Sequence, residues 1–240
     1  MKTALIIGGT KGIGKMVTLN LIRNNYFTTV VYSKDEHAEY LLYEELNEDE
    51  KKLISFVVLD MGVGTNIDLL FDKVIDMSGL DVLILNAGKT NRKNFEELTM
   101  QEWLEVFNFN CTIPLFIIQK LLPKINKDAS VIFTGSLMGI YPHSVSLSYG
   151  VSKAAVHAIV KNLVKFLAPY SIRINVVVPG FTQTDWHIHK SSAIIEKITK
   201  RISLDRFAQP EEIASAFMFL INNKYINGQE IIVDGGYLYE

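Results

Sequence analysis

Short apolar runs recur along the chain at fairly even intervals: Ala4–Ile7, Thr28–Tyr32, Ser55–Leu59, Val82–Leu85, Ser130–Phe133, Arg173–Val178 and Gln229–Val233. Each is brief, rich in valine and isoleucine, and bounded by Gly, Asp, Asn or Pro, which is the pattern of a strand buried on both faces. Between them lie segments whose apolar positions repeat at helical spacing, namely Lys15–Asn24, Asn66–Met77, Met100–Leu121, Ser152–Leu167 and Pro210–Ile221. This alternation predicts an α/β fold: a Rossmann-type, doubly wound parallel sheet of about seven strands, with right-handed crossovers and helices on both faces. Ligands of such sheets bind beyond the carboxyl ends of the strands. Gly8–Gly14, Asp60, Asn86–Gly88, Ser136 and Pro179-Gly180 each follow an apolar run directly, so they are expected to converge on one edge.

Composition narrows the picture. The 240 residues suit one well-buried domain, 1–240, with no linker-like stretch, internal repeat or low-complexity segment. Charged residues make up 21% and nearly balance, at a net −2, which gives no reason to expect a nucleic-acid partner. The run Glu44–Lys52 reads as a solvated helix end or loop. The single cysteine, Cys111, has no internal disulfide partner and falls in a buried-helix pattern, as in a reducing compartment. The opening apolar run is too short for a signal sequence, and no apolar stretch approaches the roughly 18 residues of a membrane span. The expectation is a cytoplasmic protein with no membrane partner.

The loop "GGTKGIGK", Gly8–Lys15, admits two readings. As G-x-x-x-x-G-K from Gly9 to Lys15 it is a P-loop for nucleotide hydrolysis, and Asp60 could serve as the later acidic metal ligand. A P-loop needs Ser or Thr after its lysine, however, and residue 16 is Met. As a dinucleotide turn the loop gives every glycine a physical role. Gly8 makes the turn, Gly12 lets the backbone approach a pyrophosphate, and Gly14 lets the next helix pack on the strand. The spacing G-x-x-x-G-x-G differs from the G-x-G-x-x-G fingerprint, so the loop alone does not decide.

Downstream, "SLSYGVSKAAV" places Tyr149 and Lys153 four apart at the start of a helical segment, on one face. A phenol ordinarily titrates near 10, and a neighbouring ammonium favours its anion, so the pair forms a candidate proton-transfer unit. Each candidate also admits a plain structural role. Tyr149 is a helix-start aromatic and Lys153 a surface lysine; Ser136 is a helix cap, Asn110 a buried polar bond, and Asp60 an N-cap. His187 and His189, two apart, share no helical face and have no third ligand nearby, so no metal is expected.

In combination these motifs resemble the short-chain dehydrogenase/reductase family, end to end. "IGGTKGIG" is similar to its T-G-x-x-x-G-x-G with Ile7 for the usual Thr, "LDM" to its acid after the third strand, and "LNAG" to its N-N-A-G. "FNFN" puts Asn110 at the family's catalytic asparagine, and "FTGS" puts Ser136 thirteen residues before Tyr149. "VPGFTQT", Val178–Thr184, resembles the segment that meets the nicotinamide, and "RFAQPEEIA" and "INGQEIIVDGG" resemble the C-terminal signatures.

The resemblance implies reduction of a carbonyl to a secondary alcohol, or the reverse, by hydride transfer. Tyr149 would be the general acid/base, Ser136 would hold the substrate oxygen, Lys153 would lower the tyrosine pKa and hold the nicotinamide ribose, and Asn110 would keep a relay water. Cofactor contacts would come from Gly8, Thr10, Lys11, Gly12, Ile13, Gly14, Ser33, Lys34, Asp60, Met61, Asn86, Ala87, Gly88, Tyr149, Lys153, Pro179, Gly180, Thr182 and Thr184. Lys11 and Lys34 are candidate partners for the 2′-phosphate and favour NADP(H) over NAD(H); Asp35 argues the other way but falls past the strand end. Residues 181–204 are expected to form a lid over a small carbonyl or alcohol substrate, with Leu137–Ser144, Phe181 and Trp186 lining the site.

Many relatives with these C-terminal signatures are 3-oxoacyl-[acyl-carrier-protein] reductases, but Ser148 and "PHSVS" depart from that group, so another small ketone remains open. So do a catalytically silent dinucleotide-binding regulator and, from the loop, a nucleotide hydrolase. A homo-oligomer, tetramer or dimer, is implied by the resemblance and by apolar surplus on Met100–Leu121 and Ser152–Leu167.

Overall fold

The computed structural model describes residues 1–64, 66–74, 79–141, 146–187 and 191–239. Seven strands form one parallel sheet: β1 (Lys2–Ile7), β2 (Tyr26–Tyr32), β3 (Ile54–Val58), β4 (Leu80–Leu85), β5 (Ile125–Thr134), β6 (Arg173–Pro179) and β7 (Glu230–Val233). Their order is β3-β2-β1-β4-β5-β6-β7, so the chain winds outward one way from β1 and then the other way from β4. The order reverses between β1 and β4, where Ile7 pairs with both Val31 and Leu85. That reversal opens the crevice in which doubly wound sheets bind ligands.

The helices are α1 (Gly12–Arg23), α2 (Glu36–Glu44), α3 (Glu48–Lys51), α4 (Asn66–Val74), α5 (Met100–Phe107), α6 (Ile113–Leu121), α7 (Leu147–Leu167), α8 (Ser192–Thr199) and α9 (Pro210–Asn222). Two cores sandwich the sheet. On one face Leu70, Ile117, Leu121, Val156 and Val160 of α4, α6 and α7 pack on Leu83, Val131 and Ile174. On the other, Val17, Leu21, Leu42, Phe217 and Leu220 of α1, α2 and α9 pack on Ile6, Val30 and Ile132. Both faces are covered, which is why the strand sequences read as continuous apolar runs.

All seven predicted strands form, and the predicted helices form with shifted ends. The structure adds α2, capped by Asp35 Oδ1 accepting the Ala38 N–H at 3.0 Å, and α8, capped by Ser191. Helix α7 starts five residues earlier than its periodicity suggested, because Ser146 Oγ accepts the Tyr149 N–H at 3.3 Å and caps the first turn. Residues 75–77 of the predicted Asn66–Met77 helix, residues 142–144 of the expected site lining, and His189 with its neighbours 188 and 190 in the expected lid lie outside the described residues. The charged run holds the short, exposed α3 with an Asn47/Glu50 capping box.

Met100–Leu121 runs as α5, a single π-helical turn over Asn108–Thr112, and α6. Extended to Lys124 it is long and apolar enough to cross a bilayer by length and composition, which corrects the expectation that no such stretch exists. Its apolar surplus goes into the core against α4 and α7 and into an exposed outer strip.

Candidate active site

The glycine loop starts flush with the sheet edge. Gly8 N–H donates to the Val31 carbonyl at 2.8 Å, while the N–H groups of Asn86 and Ala87 donate to the Ile7 carbonyl at 3.1 and 2.9 Å. Gly8 has φ +82°, the left-handed region that favours glycine. A Cβ on Gly14 would overlap the Gly8 carbonyl oxygen and lie 2.6 Å from Asn86 Nδ2, so only glycine lets α1 sit this close to β1. Asn86 braces the arrangement, donating from Nδ2 to Gly8 O at 2.7 Å and accepting the Thr134 hydroxyl at 2.9 Å. Lys11 occupies the α1 N-cap and makes no side-chain capping bond, and no acidic residue stands in the first turn. The first-turn N–H groups thus face the crevice as an anion cradle.

The P-loop reading fails at its lysine: Lys15 pairs with Glu45 at 2.6 Å, away from the crevice, and Met16 packs against the α1/α9 core.

One cavity of about 790 Å³ takes in nearly every predicted site residue. Its wall runs from Gly8, Thr10, Lys11, Gly12 and Ile13 past Ser33, Asp60 and Met61, then Asn86, Ala87 and Gly88, to Ser136, Tyr149 and Lys153, and on to Pro179, Gly180, Thr182 and Thr184. Asn110 stands just behind the wall, 3.9 Å from where a Gly88 Cβ would be, and Gly14 lies beneath Gly8. Lys34 is exposed and not part of the wall, contrary to expectation. Its place is taken by Asp35, which turns inward to cap α2 and forms an ion pair with Lys11. Hydrogen bonding from Lys11, then from the Ala38 backbone, holds the Asp35 carboxyl below its usual range. Tyr32, at the end of β2, hydrogen-bonds Glu39.

The chemistry-bearing groups gather on α7 and the ends of β4 and β5. Tyr149 shares the cavity wall with Ser136, and its ring is 5.7 Å from that of Trp186. Lys153, buried one turn on, donates from Nζ to the Thr134 carbonyl at 2.7 Å and lies 5.7 Å from the Tyr149 ring centroid. Burial lowers the Lys153 pKa to about 8. Burial also raises the Tyr149 phenol above its ordinary value, opposed by the Ser136 side chain. In this arrangement desolvation outweighs any pull of the Lys153 ammonium on the phenol, while the ammonium keeps its charge on the Thr134 carbonyl.

The π turn brings Asn110 inward. Its Oδ1 accepts the Lys89 N–H at 2.8 Å, and its Nδ2 donates to Lys89 O and to Ser152 Oγ, each at 2.9 Å. Such turns re-aim a side chain without ending the helix. Ser136 Oγ accepts the Met138 N–H at 3.2 Å and so caps the turn that follows β5. Asp60 accepts the Gly62 N–H at 2.8 Å, closing a turn rather than capping a helix. Cys111 is buried against Ser152, and burial pushes its thiol up to about 11, so it is unreactive. Among the described residues no cluster of three metal-ligating side chains occurs.

Sequence reasoning missed His157, whose Nε2 faces the Ser136 backbone N–H, and three cavity-lining cations or aromatics: Arg92, Arg201 and Tyr237. His157 was legible as the next member of the four-residue series from Tyr149 and Lys153. Arg92 lies in the loop after β4, whereas Arg201 and Tyr237 carry no local signal, since their place depends on how the C-terminal third folds back over the sheet edge.

Comparison with known proteins agrees with this architecture. Residues 8–238 match the family model described as enoyl-(acyl carrier protein) reductase. The chain is 30% identical over 240 residues to the 3-oxoacyl-[acyl-carrier-protein] reductase of Aquifex aeolicus, covering 98% of this chain and 96% of that protein. It is 31% identical over 242 residues to a 3alpha-hydroxysteroid dehydrogenase of Mediterraneibacter gnavus, with 98% and 96% covered. It superposes on Pseudomonas aeruginosa RhlG, solved as an NADP active-site complex, with a TM-score of 0.88, 27% identity, and 98% and 96% of the two chains covered. The glycine cradle, the Ser136–Tyr149–Lys153 grouping and full-length similarity to named reductases and dehydrogenases lead to one conclusion: the chain belongs to the short-chain dehydrogenase/reductase family of NAD(P)-dependent oxidoreductases.

Proposed function

We propose that the protein interconverts a small-molecule ketone and its secondary alcohol, with NADP(H) preferred to NAD(H). The observation that carries this reading is the grouping of Ser136, Tyr149 and, one turn on, buried Lys153 in the wall of a cavity whose far end is the glycine cradle. The cradle fits a dinucleotide: Gly8, Thr10, Gly12 and Ile13 with the α1 N-terminus would hold the pyrophosphate. Ser33, Asp60 and Met61 would meet the adenosine half; Asn86, Ala87, Gly88, Pro179, Gly180, Thr182 and Thr184 would meet the nicotinamide half.

When bound, the nicotinamide supplies or accepts the hydride at the carbonyl carbon. Tyr149 gives the substrate oxygen its proton in the reducing direction and removes it in the other, as a general acid and base. Ser136 holds that oxygen by a hydrogen bond. Lys153, protonated at neutral pH, stabilises the phenolate left behind and binds the ribose; Asn110 keeps a water in place to return the proton. The segment 181–204 acts as a lid, with Phe181, Trp186, Ile194, Lys197, Ile198 and Arg201 on the cavity side.

Preference for NADP(H) rests on Lys11 alone, since Lys34 stands off the wall. The relatives act on a 3-oxoacyl-[acyl-carrier-protein] and on a 3alpha-hydroxysteroid. Both support a ketone/secondary-alcohol pair. Exposed Leu104 and Phe116 on α5–α6 and Leu147, Val151 and Phe166 on α7 support self-association through that pair of helices, as a tetramer or dimer, which light scattering checks.

The deciding experiment is turnover of a ketone panel with NADPH and NADH, followed by nicotinamide absorbance. Reduction with a higher kcat/KM for NADPH supports the reading. Tight cofactor binding with no turnover of any carbonyl would leave a silent dinucleotide-binding protein instead.

A further inference from the structure

The cavity wall beyond Tyr149 is apolar, formed by Met138, Phe181, Trp186, Ile198 and Tyr237 among others, yet three cations enter it: Arg92, Lys197 and Arg201. None of the three has a carboxylate within 4.0 Å among the described residues, while Lys11 at the other end of the cavity is paired with Asp35. One acid, Asp185, also reaches this end of the wall, leaving a net excess of positive charge.

Arg201 is the most constrained of the three. Its guanidinium is 4.7 Å from the Tyr237 ring centroid and 5.6 Å from that of Tyr141, and Nη2 donates to the Tyr141 hydroxyl at 3.2 Å. Tyr237 is itself fully buried in a small core with Leu137 and Ile202, so this stack is held from behind. A guanidinium stacked on rings keeps its planar fork of donors directed outward, the geometry that grips a carboxylate or phosphate with two bonds. Arg92 donates from Nη2 to the Trp186 carbonyl at 3.2 Å, Lys197 is exposed, and both line the same cavity as the stacked arginine. The cofactor's pyrophosphate does not account for Arg201. The glycine cradle lies against Thr184, while Arg201 is fixed to Tyr141 and Tyr237 in the separate cluster that floors the substrate end.

We infer that the substrate carries an anionic group, a carboxylate or phosphate, on the side away from its carbonyl, and that Arg201 anchors it, with Arg92 and Lys197 in the same cavity wall. This rests on the carbonyl-reductase reading above. Arg201 then sets substrate register: with the anion held, chain length between anion and carbonyl decides whether the carbonyl oxygen reaches Tyr149 and Ser136.

The test uses straight-chain methyl-ketone acids of increasing length, each paired with its methyl ester, reduced with NADPH. At the best length the acid is expected to exceed its ester at least tenfold in kcat/KM. R201Q is expected to bring that ratio to within threefold of unity, and R201K to retain part of it. Equal or better use of the ester at every length, or an unchanged ratio in R201Q, overturns the inference. Should R201Q not fold, the exposed pair R92Q/K197Q is expected to lower the ratio at least threefold, and no change there counts against the inference.

If no acid or ester is turned over, the same compounds are titrated into the enzyme–NADP complex of W103F, where Trp186 fluorescence reports binding. Acid binding at least tenfold tighter than ester, lost in R201Q, upholds the anion site while the catalytic reading fails. Equal binding, or none, removes the anion site.

Discussion

His157 Nε2 accepts the Ser136 backbone N–H at 3.4 Å, while its Nδ1 faces Glu230 Oε2, also at 3.4 Å. The imidazole is thus wedged between the serine of the candidate site and the last strand, with Gly135 so close that a Cβ there would strike the ring. Accepting at Nε2 requires the neutral tautomer protonated at Nδ1. Burial lowers the His157 pKa to about 4, with Glu230 opposing and Lys153 and Lys161 reinforcing the shift.

A folded pKa below the unfolded value of about 6.5 means that the unfolded chain binds the extra proton first. His157 therefore contributes stability that is fully present above pH 6.5 and is lost as pH falls toward 4, on the order of 3 kcal/mol across that window. Urea unfolding at pH 7, 5.5 and 4.5 should show this loss, and H157Q should flatten it. A wild-type profile as flat as that of the variant would rule the assignment out.

Tyr149→Phe removes the proton donor and keeps the ring that packs near Trp186. The expected result is a fall in kcat of ~10³-fold or more with cofactor affinity unchanged within about twofold. Ser136→Ala should cost roughly 10²-fold, since one hydrogen bond to the substrate oxygen is lost. Single-turnover rates beside cofactor titrations check both, and retained turnover in Tyr149→Phe would sink the catalytic assignment.

Lys11 and Asp35 form an ion pair at the glycine-loop end of the cavity, so on the proposed reading a 2′-phosphate would compete with Asp35 for the ammonium. Lys11→Gln should raise KM for NADPH by about tenfold or more and leave NADH nearly unaffected. Asp35→Asn should act oppositely, lowering KM for NADPH, because the lysine is released and a like charge is removed. Specificity constants for both cofactors in the three proteins decide the matter, and a wild-type preference for NADH would reverse it.

Gly14 and Gly64 provide an internal control on packing. Gly14→Ala places a methyl group into the Gly8 carbonyl and the Asn86 amide and should destabilise by at least about 2–3 kcal/mol. A methyl group on Gly64 would meet nothing within 4 Å, so Gly64→Ala should be tolerated within about 0.5 kcal/mol. Thermal unfolding of the two variants side by side is the measurement, with cofactor binding expected to suffer only in Gly14→Ala.

The strands, their winding and the edge on which the site forms were all legible in the order of residues. Strands buried on both faces must be apolar throughout, and helices covering them must be striped, so periodicity carries that information directly. Tyr149 and Lys153 could be placed on one face for the same reason, since four residues along a helix is a local distance. Helices α2 and α8 were less visible: each is capped by a polar residue but few of its side chains are buried, so the apolar stripe is weak.

Which residues meet across the edge is a matter of the folded chain. Lys34 and Asp35 are neighbours in the chain, yet the turn into α2 sends one to solvent and the other to Lys11. Lys153 commits its ammonium to the Thr134 carbonyl, and desolvation rather than charge governs Tyr149. Arg201 meets Tyr141 across 60 residues in one direction and Tyr237 by a C-terminal return in the other. These contacts depend on long-range packing and burial, which no local spacing encodes.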